Sequence, residues 1–228
     1  MARLKVGVLV SGFGSNLQTL IDLCADPEFP AEIVTVISNK DGAVALERAA
    51  KAGIKTEIIP HKAFPDRFSF DNALDAALRA EGVELVCLAG FMRILTPIFV
   101  DLWRDAIINI HPSLLPAFRG LETHRQALAA GVRFHGCTVH FVRPDLDDGP
   151  ILVQAVVPVL PQDDEQSLAA RVLQAEHRAY PLALRLIAER RVTIEGDRVV
   201  IDELIAPNRG RMSGESYERS RNDREISQ

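Results

Sequence analysis

Short apolar runs alternate with stretches of helical spacing along this chain. Leu4–Val10 is a nearly continuous aliphatic run, as expected of a strand covered on both faces. The turn Ser11-Gly12-Phe13-Gly14-Ser15-Asn16 follows, and then Leu17, Leu20, Ile21 and Cys24 fall on one helical face. Strand, glycine-rich turn and helix make the first half of a βαβ unit. The alternation continues with a strand over residues 32–38, a helix over 44–52 closed by Gly53, and a strand over 54–59. A helix over 68–80 closed by Gly82 and a strand over 83–89 come next. Strands alternating with helices predict an α/β fold, a doubly wound and mostly parallel sheet with helices on both faces and right-handed crossovers.

The apolar stretch 106–110 predicts a buried strand, stopped by Pro112, which has no N–H to donate. Side chains alternate along a strand, so Asn109 and His111 share a face, about 6–7 Å apart. The carboxyl ends of such strands are where open α/β sheets bind ligands. An amide can donate to a developing oxyanion and an imidazole can move a proton near neutral pH; the alternative is an Asn and a His that satisfy each other structurally. A helix over 123–130 stops at Gly131. Strands over 136–142 and 151–158 flank Arg143-Pro144-Asp145-Leu146-Asp147-Asp148-Gly149-Pro150, which predicts an antiparallel extension of the sheet. Aspartates in such a turn form turns in water, or one of them orients the histidine. His140 reads as packed within its strand. A long helix is expected over 163–191 and a hairpin over 192–201 around Glu195-Gly196-Asp197. Residues 1–206 read as one domain, with the candidate phosphate-binding turn in its N-terminal half. The charged stretch 207–228 reads as a mobile tail.

The glycine-rich turn carries candidate chemistry. Its glycines allow close backbone approach, and the helix N-terminus behind it offers free N–H groups. Ser15 or Asn16 would cap that helix, bind a phosphate, or both. The third glycine of a dinucleotide fingerprint is Leu17 here, so a single phosphate fits better than a pyrophosphate. A capped turn without ligand is the alternative. In Gly90-Phe91-Met92-Arg93-Ile94-Leu95, apolar residues flank one arginine. That suits a wall against a flat heteroaromatic ligand, or a buried loop with a snorkelling arginine.

Composition narrows the function classes. The chain has 228 residues, 47% hydrophobic and 25% charged, enough for a substantial core. A net charge of −5 and a pI near 5.7 argue against broad nucleic-acid or anionic-membrane binding. No apolar stretch approaches the ~20 residues of a membrane span. Charges near Met1 leave no signal-peptide pattern. Cys24, Cys87 and Cys137 lack metal-ligand spacing and read as reduced cysteines of a cytoplasmic protein. No metal is expected.

Taken together, these motifs resemble the folate-dependent formyltransferase family, and within it the phosphoribosylglycinamide formyltransferases. The matching stretches are Ser11-Gly12-Phe13-Gly14-Ser15-Asn16-Leu17, Leu88 to Leu95, Asn109-Ile110-His111-Pro112-Ser113-Leu114-Leu115-Pro116, Gly120 with Thr123-His124, Leu146-Asp147 with Gly149-Pro150, and Glu176-His177 with Tyr180-Pro181. The resemblance implies formyl transfer from 10-formyltetrahydrofolate, as co-substrate, to the amine of glycinamide ribonucleotide in purine biosynthesis. A formyltetrahydrofolate deformylase or another formyltransferase of this type is the alternative. It implies small-molecule substrates, no nucleic acid or membrane partner, and a monomer or homodimer. It also implies that Asn109, His111 and Asp147 are catalytic. Gly14, Ser15, Asn16 and Glu176 would hold the phosphoribosyl group. Arg67, Met92, Arg93, Ile94, Leu95 and Asn109 would contact the folate, which makes the C-terminal half folate-binding. Two departures stand out: Asp148-Gly149 where the family often has two glycines, and Ala117-Phe118-Arg119 without the lysine that many relatives carry.

Overall fold

The structure, a computed structural model, describes residues 2–202. The expected tail at 207–228 lies outside the described residues.

Seven strands form one sheet in the order β3-β2-β1-β4-β5-β6-β7. They are β1 Leu4–Val10, β2 Ala31–Ser38, β3 Lys55–Ile58, β4 Leu85–Leu88, β5 Ile107–His111, β6 Phe134–Phe141 and β7 Ile151–Pro158. The first five in that order are mutually parallel, and β6 and β7 extend the sheet antiparallel. β8 Val192–Glu195 and β9 Arg198–Ile201 form the separate hairpin. The doubly wound sheet with an antiparallel extension is thus the expected one. β1 and β4 lie at its middle and are apolar on both faces because helices cover both. Chain order reverses between them, which makes the gap at their carboxyl ends the topological switch point.

Alternation along the strands sorts side chains into two cores. Val6, Val8, Val10, Ile108, Ile110, Cys137 and Val139 pack with helices α1 (Ser15–Cys24), α2 (Val44–Lys51), α5 (Thr123–Ala129) and α6 (Glu165–Ala188). Leu9, Ile37, Val86, Leu88 and Ile107 pack on the other face with α3 (Arg67–Ala80) and α4 (Pro97–Leu102). Tyr180 of α6 is fully buried, and its hydroxyl donates to the carbonyls of Leu88 and Ile108. It thereby ties the longest helix to the two strands that carry the candidate site.

Several boundaries differ from the sequence reading. Neither Ser15 nor Asn16 caps α1. Gly14 takes the N-cap position in the left-handed region (φ 75°), and no side chain caps the helix. A Cβ on Gly14 would fall 2.6 Å from Ala45 Cβ, so close packing against α2 requires glycine there. The long helix starts at Glu165 rather than Asp163, because Asp164 closes a capping box with Ser167 while Asp163 pairs with Arg171. It ends at Ala188, before Arg190 turns left-handed. Strand β5 starts at Ile107, one residue after the apolar stretch begins, and runs to His111, which pairs with Thr138 before Pro112 stops it. Helix α4 and the 3-10 turn His61–Ala63 were not foreseen; both are too short for a periodic signal.

Candidate active site

At the carboxyl edge of β4, β5 and the β6–β7 connection lies a cavity of about 790 Å³. Met92, Arg93, Ile94 and Leu95 form one wall, Asn109 and His111 the floor, and residues 143–148 the facing wall. Met92 and Ile94 are more than half exposed, so their apolar surface is open to a ligand. The Arg93 guanidinium sits 5.3 Å above the Phe70 ring, and its Nε has no protein partner. Arg67, the first residue of α3, is exposed and lies outside the residues that line the cavity.

Asn109 and His111 alternate with Ile108 and Ile110, which belong to the opposite core, and so share the face of Ile107. Both ring nitrogens of His111 are engaged. Nε2 lies 3.0 Å from the Phe118 carbonyl, which can only accept, so that nitrogen carries a proton. Nδ1 lies 3.4 Å from Asp147 Oδ1, and the ring is almost fully buried. The other oxygen of Asp147 accepts the Gly120 N–H at 2.7 Å. Of the three aspartates in the acidic turn, Asp147 is the one that reaches the histidine. Its backbone is left-handed (φ 46°), which aims the carboxylate inward. Gly149 lets the turn close: a Cβ there would fall 2.1 Å from the Phe141 carbonyl oxygen. Asp148 points elsewhere and pairs with Arg119 at 2.7 Å, so the two departures noted in the sequence meet each other.

The glycine-rich turn and Glu176 form a second cluster. The first intrahelical bond of α1 runs from the Gln18 N–H to the Gly14 carbonyl. With no cap, the N–H groups before it are available to an anion. Asn16 Nδ2 donates to Glu176 Oε2 at 2.7 Å. Burial raises the pKa of Glu176, and the Asn16 hydrogen bond opposes that rise. Asn16 Oδ1 is buried without a partner. Gly14, Ser15, Asn16 and Glu176 are thus brought together, although α1 and α6 are far apart in sequence.

Sequence reasoning missed two contributors. His140 is more than a packed strand residue, because its Nε2 faces the Asn109 amide at 3.3 Å. Ser11 and Asn39 form a buried hydrogen bond behind the glycine-rich turn. Both contacts depend on strand neighbours, which no local pattern names. Among the described residues, no group of His, Cys, Asp and Glu is arranged to hold a metal ion, and no helix is long and apolar enough to cross a membrane.

The model of a formyl transferase domain matches residues 4–184. The chain belongs to the formyl transferase family. Its relatives within the family include the trifunctional purine biosynthetic protein adenosine-3 of Drosophila pseudoobscura pseudoobscura, 56% identical over 188 residues. That match covers 82% of this chain but only 14% of the much longer relative. The phosphoribosylglycinamide formyltransferase of Escherichia coli K12 is 43% identical over 207 residues, which is 91% of this chain and 98% of that protein. The crystal structure of glycinamide ribonucleotide transformylase 1 from Symbiobacterium toebii superposes with a TM-score of 0.85 at 50% identity, covering 87% of this chain and 94% of that one. The two folds are therefore shared over most of both chains.

Proposed function

We propose that this chain transfers the formyl group of 10-formyltetrahydrofolate to the amine of glycinamide ribonucleotide, in purine biosynthesis. The single observation that carries the reading is the junction of two sites: an open, largely apolar cavity with Asn109 and His111 on its floor, and an uncapped helix N-terminus beside Glu176. One suits a flat folate, the other a phosphorylated ribose. The match with proteins named for this activity agrees with it.

In this reading Gly14, Ser15 and Asn16 hold the phosphate and Glu176 accepts from the ribose hydroxyls. Met92, Arg93, Ile94 and Leu95 contact the folate. The amine attacks the formyl carbon and forms a C–N bond. The carbonyl electrons move to oxygen, giving a tetrahedral oxyanion. Asn109 and the Nε2–H of His111 donate to that oxygen. The oxygen lone pair then re-forms the carbonyl, the bond to the folate nitrogen breaks, and the proton lost by the amine ends on that nitrogen. Asp147 holds the His111 ring from its Nδ1 side. His111 Nε2 rests on the Phe118 carbonyl, and a substrate oxygen would take that place. No side chain is acylated, and Ser113, whose hydroxyl donates to the Ala117 carbonyl, is a turn residue.

Release of tetrahydrofolate followed by absorbance tests the proposal, with each substrate omitted in turn. Release that needs both substrates is the expected result. Release with the folate alone makes water the acceptor and favours a deformylase. No release with glycinamide ribonucleotide, but release with another amine, overturns the acceptor assignment.

A further inference from the structure

We infer that the Ser11 hydroxyl is a positioning group that links the two substrate sites, so that each substrate tightens the binding of the other. The inference rests on the formyl-transfer reading above.

Ser11 follows β1 directly and opens the glycine-rich turn. Met92 lies just past β4, in the wall of the cavity. β1 and β4 are neighbours at the switch point, so these two loops leave the sheet side by side. The Met92 N–H donates to Ser11 Oγ at 2.8 Å. The Ser11 hydroxyl then donates to Asn39 Oδ1 at 2.6 Å. Asn39, just past β2, is 1% exposed and Ser11 8%. The hydroxyl therefore has its proton and one lone pair committed in a site closed to water, which leaves it a single orientation.

The surroundings make this contact consequential. Beyond Ser11 the turn is held from the other side, by α2: the Ala45 N–H donates to the Gly12 carbonyl and Arg48 to the Phe13 carbonyl. Phe91 and Leu95 pack on the core at the two ends of the cavity loop, but Met92 and Ile94 between them are more than half exposed and give it no side-chain anchorage. At Met92 the loop is held by its backbone, and Ser11 is where that backbone meets the phosphate turn. A phosphoribosyl ligand that orders the turn also fixes Oγ. The Met92 loop then has less freedom left to lose when the folate binds. Linkage requires the same factor in the opposite direction.

The test is isothermal titration of the wild-type chain and of Ser11→Ala, Ser11→Cys and Ser11→Thr. The probes are glycinamide ribonucleotide and 5,8-dideazafolate, which has no formyl group to transfer, each alone and with the other saturating. In the wild type each ligand is expected to tighten the other about fivefold or more, by equal factors. Ser11→Ala should bring that factor close to one, and Ser11→Thr, which keeps a hydroxyl, should restore it. Ser11→Cys, nearly isosteric but a weak hydrogen-bonding group, gives the same reading if the alanine variant does not fold. An unchanged factor in a folded Ala or Cys variant overturns the inference, as does a wild type whose two ligands bind independently. A wild type that binds neither ligand overturns the formyl-transfer reading itself, and this inference with it.

Discussion

The Asn109 amide nitrogen and the His140 imidazole meet at 3.3 Å, at the position where the two residues are direct partners across the β5–β6 ladder. His140 Nδ1 lies 3.1 Å from the Phe141 carbonyl. A carbonyl only accepts, so the proton is on Nδ1 and Nε2 presents its lone pair. Burial lowers the pKa of His140 and keeps the ring neutral. The neutral ring in this tautomer fixes which way the Asn109 amide faces. One N–H goes to His140 and the other remains for a substrate oxygen.

Losing that orientation should slow the reaction without removing a reacting group. His140→Leu is expected to lower kcat by about 10²-fold, the cost of a misplaced catalytic group, with a smaller change in the folate KM. His140→Gln retains an acceptor at about the right reach and should recover much of the loss. Steady-state kinetics of the two variants, read beside their melting temperatures, would separate the orienting role from simple packing.

Direct removal of the proposed donors should cost more. Asn109→Ala is expected to lower turnover by about 10²–10³, as for other oxyanion donors. His111→Ala is expected to lose about 10²–10⁴. Asp147→Asn keeps a polar group near His111 Nδ1 but removes the charge, and should fall within the same range. Thermal melts should move little for Asn109→Ala, because its side chain is only partly buried on the cavity floor. Near wild-type turnover in either alanine variant would falsify the assignment.

Glu176 makes a prediction about pH as well as binding. Its pKa is raised above the ordinary 4.5, chiefly by burial. The stability it contributes is therefore complete below about pH 4.5 and is lost as pH rises through the raised folded value. Glu176→Gln cannot ionise and still accepts from Asn16. The variant should be at least as stable as wild type at pH 7, with the advantage vanishing near pH 4 in urea denaturation. Its KM for the phosphoribosyl substrate should rise roughly 10-fold or more, because a charge-assisted hydrogen bond to the ribose becomes a neutral one.

How much of this was legible in the sequence depended on how local each signal was. The aliphatic runs of β1 and β4, the glycine after α2 and the asparagine and histidine two apart on β5 are local patterns, and they placed the sheet and the floor of the cavity. The six residues of α4, opening with Pro97, are too few to display a helical period. Asp147 could not be chosen from Asp145 and Asp148 by composition; the resemblance selected it, and the left-handed backbone at Asp147 explains why it reaches His111. Arg67 came from the resemblance alone; an exposed arginine opening a helix carries no local pattern that would single it out. The pairings Asn109–His140, Asn16–Glu176 and Arg119–Asp148 join residues about 30 to 160 apart, a separation at which pattern reading carries no information.

A last expectation concerns acid stability. His135 is 1% exposed, and neither of its ring nitrogens has a partner. It packs edge-on against His124, with centroids 5.4 Å apart, and against Phe118 at 5.8 Å. Burial, with His124 adding to it, pushes its pKa down to about 4 from 6.5. Burial lowers His124 and His140 as well. A histidine with a lowered folded pKa contributes stability that is complete above 6.5 and lost as pH falls toward the folded value. Unfolding free energy should therefore drop steadily between pH 6.5 and 4, before most carboxylates are protonated. Replacing His135 with glutamine removes one titrating group from that window, and should flatten the drop even if the variant is less stable at pH 7.5. Denaturant curves at pH 7.5, 6 and 5 for both chains decide it: parallel losses would place the acid sensitivity elsewhere, and a flatter variant would locate it in the histidine cluster under the Phe118 loop.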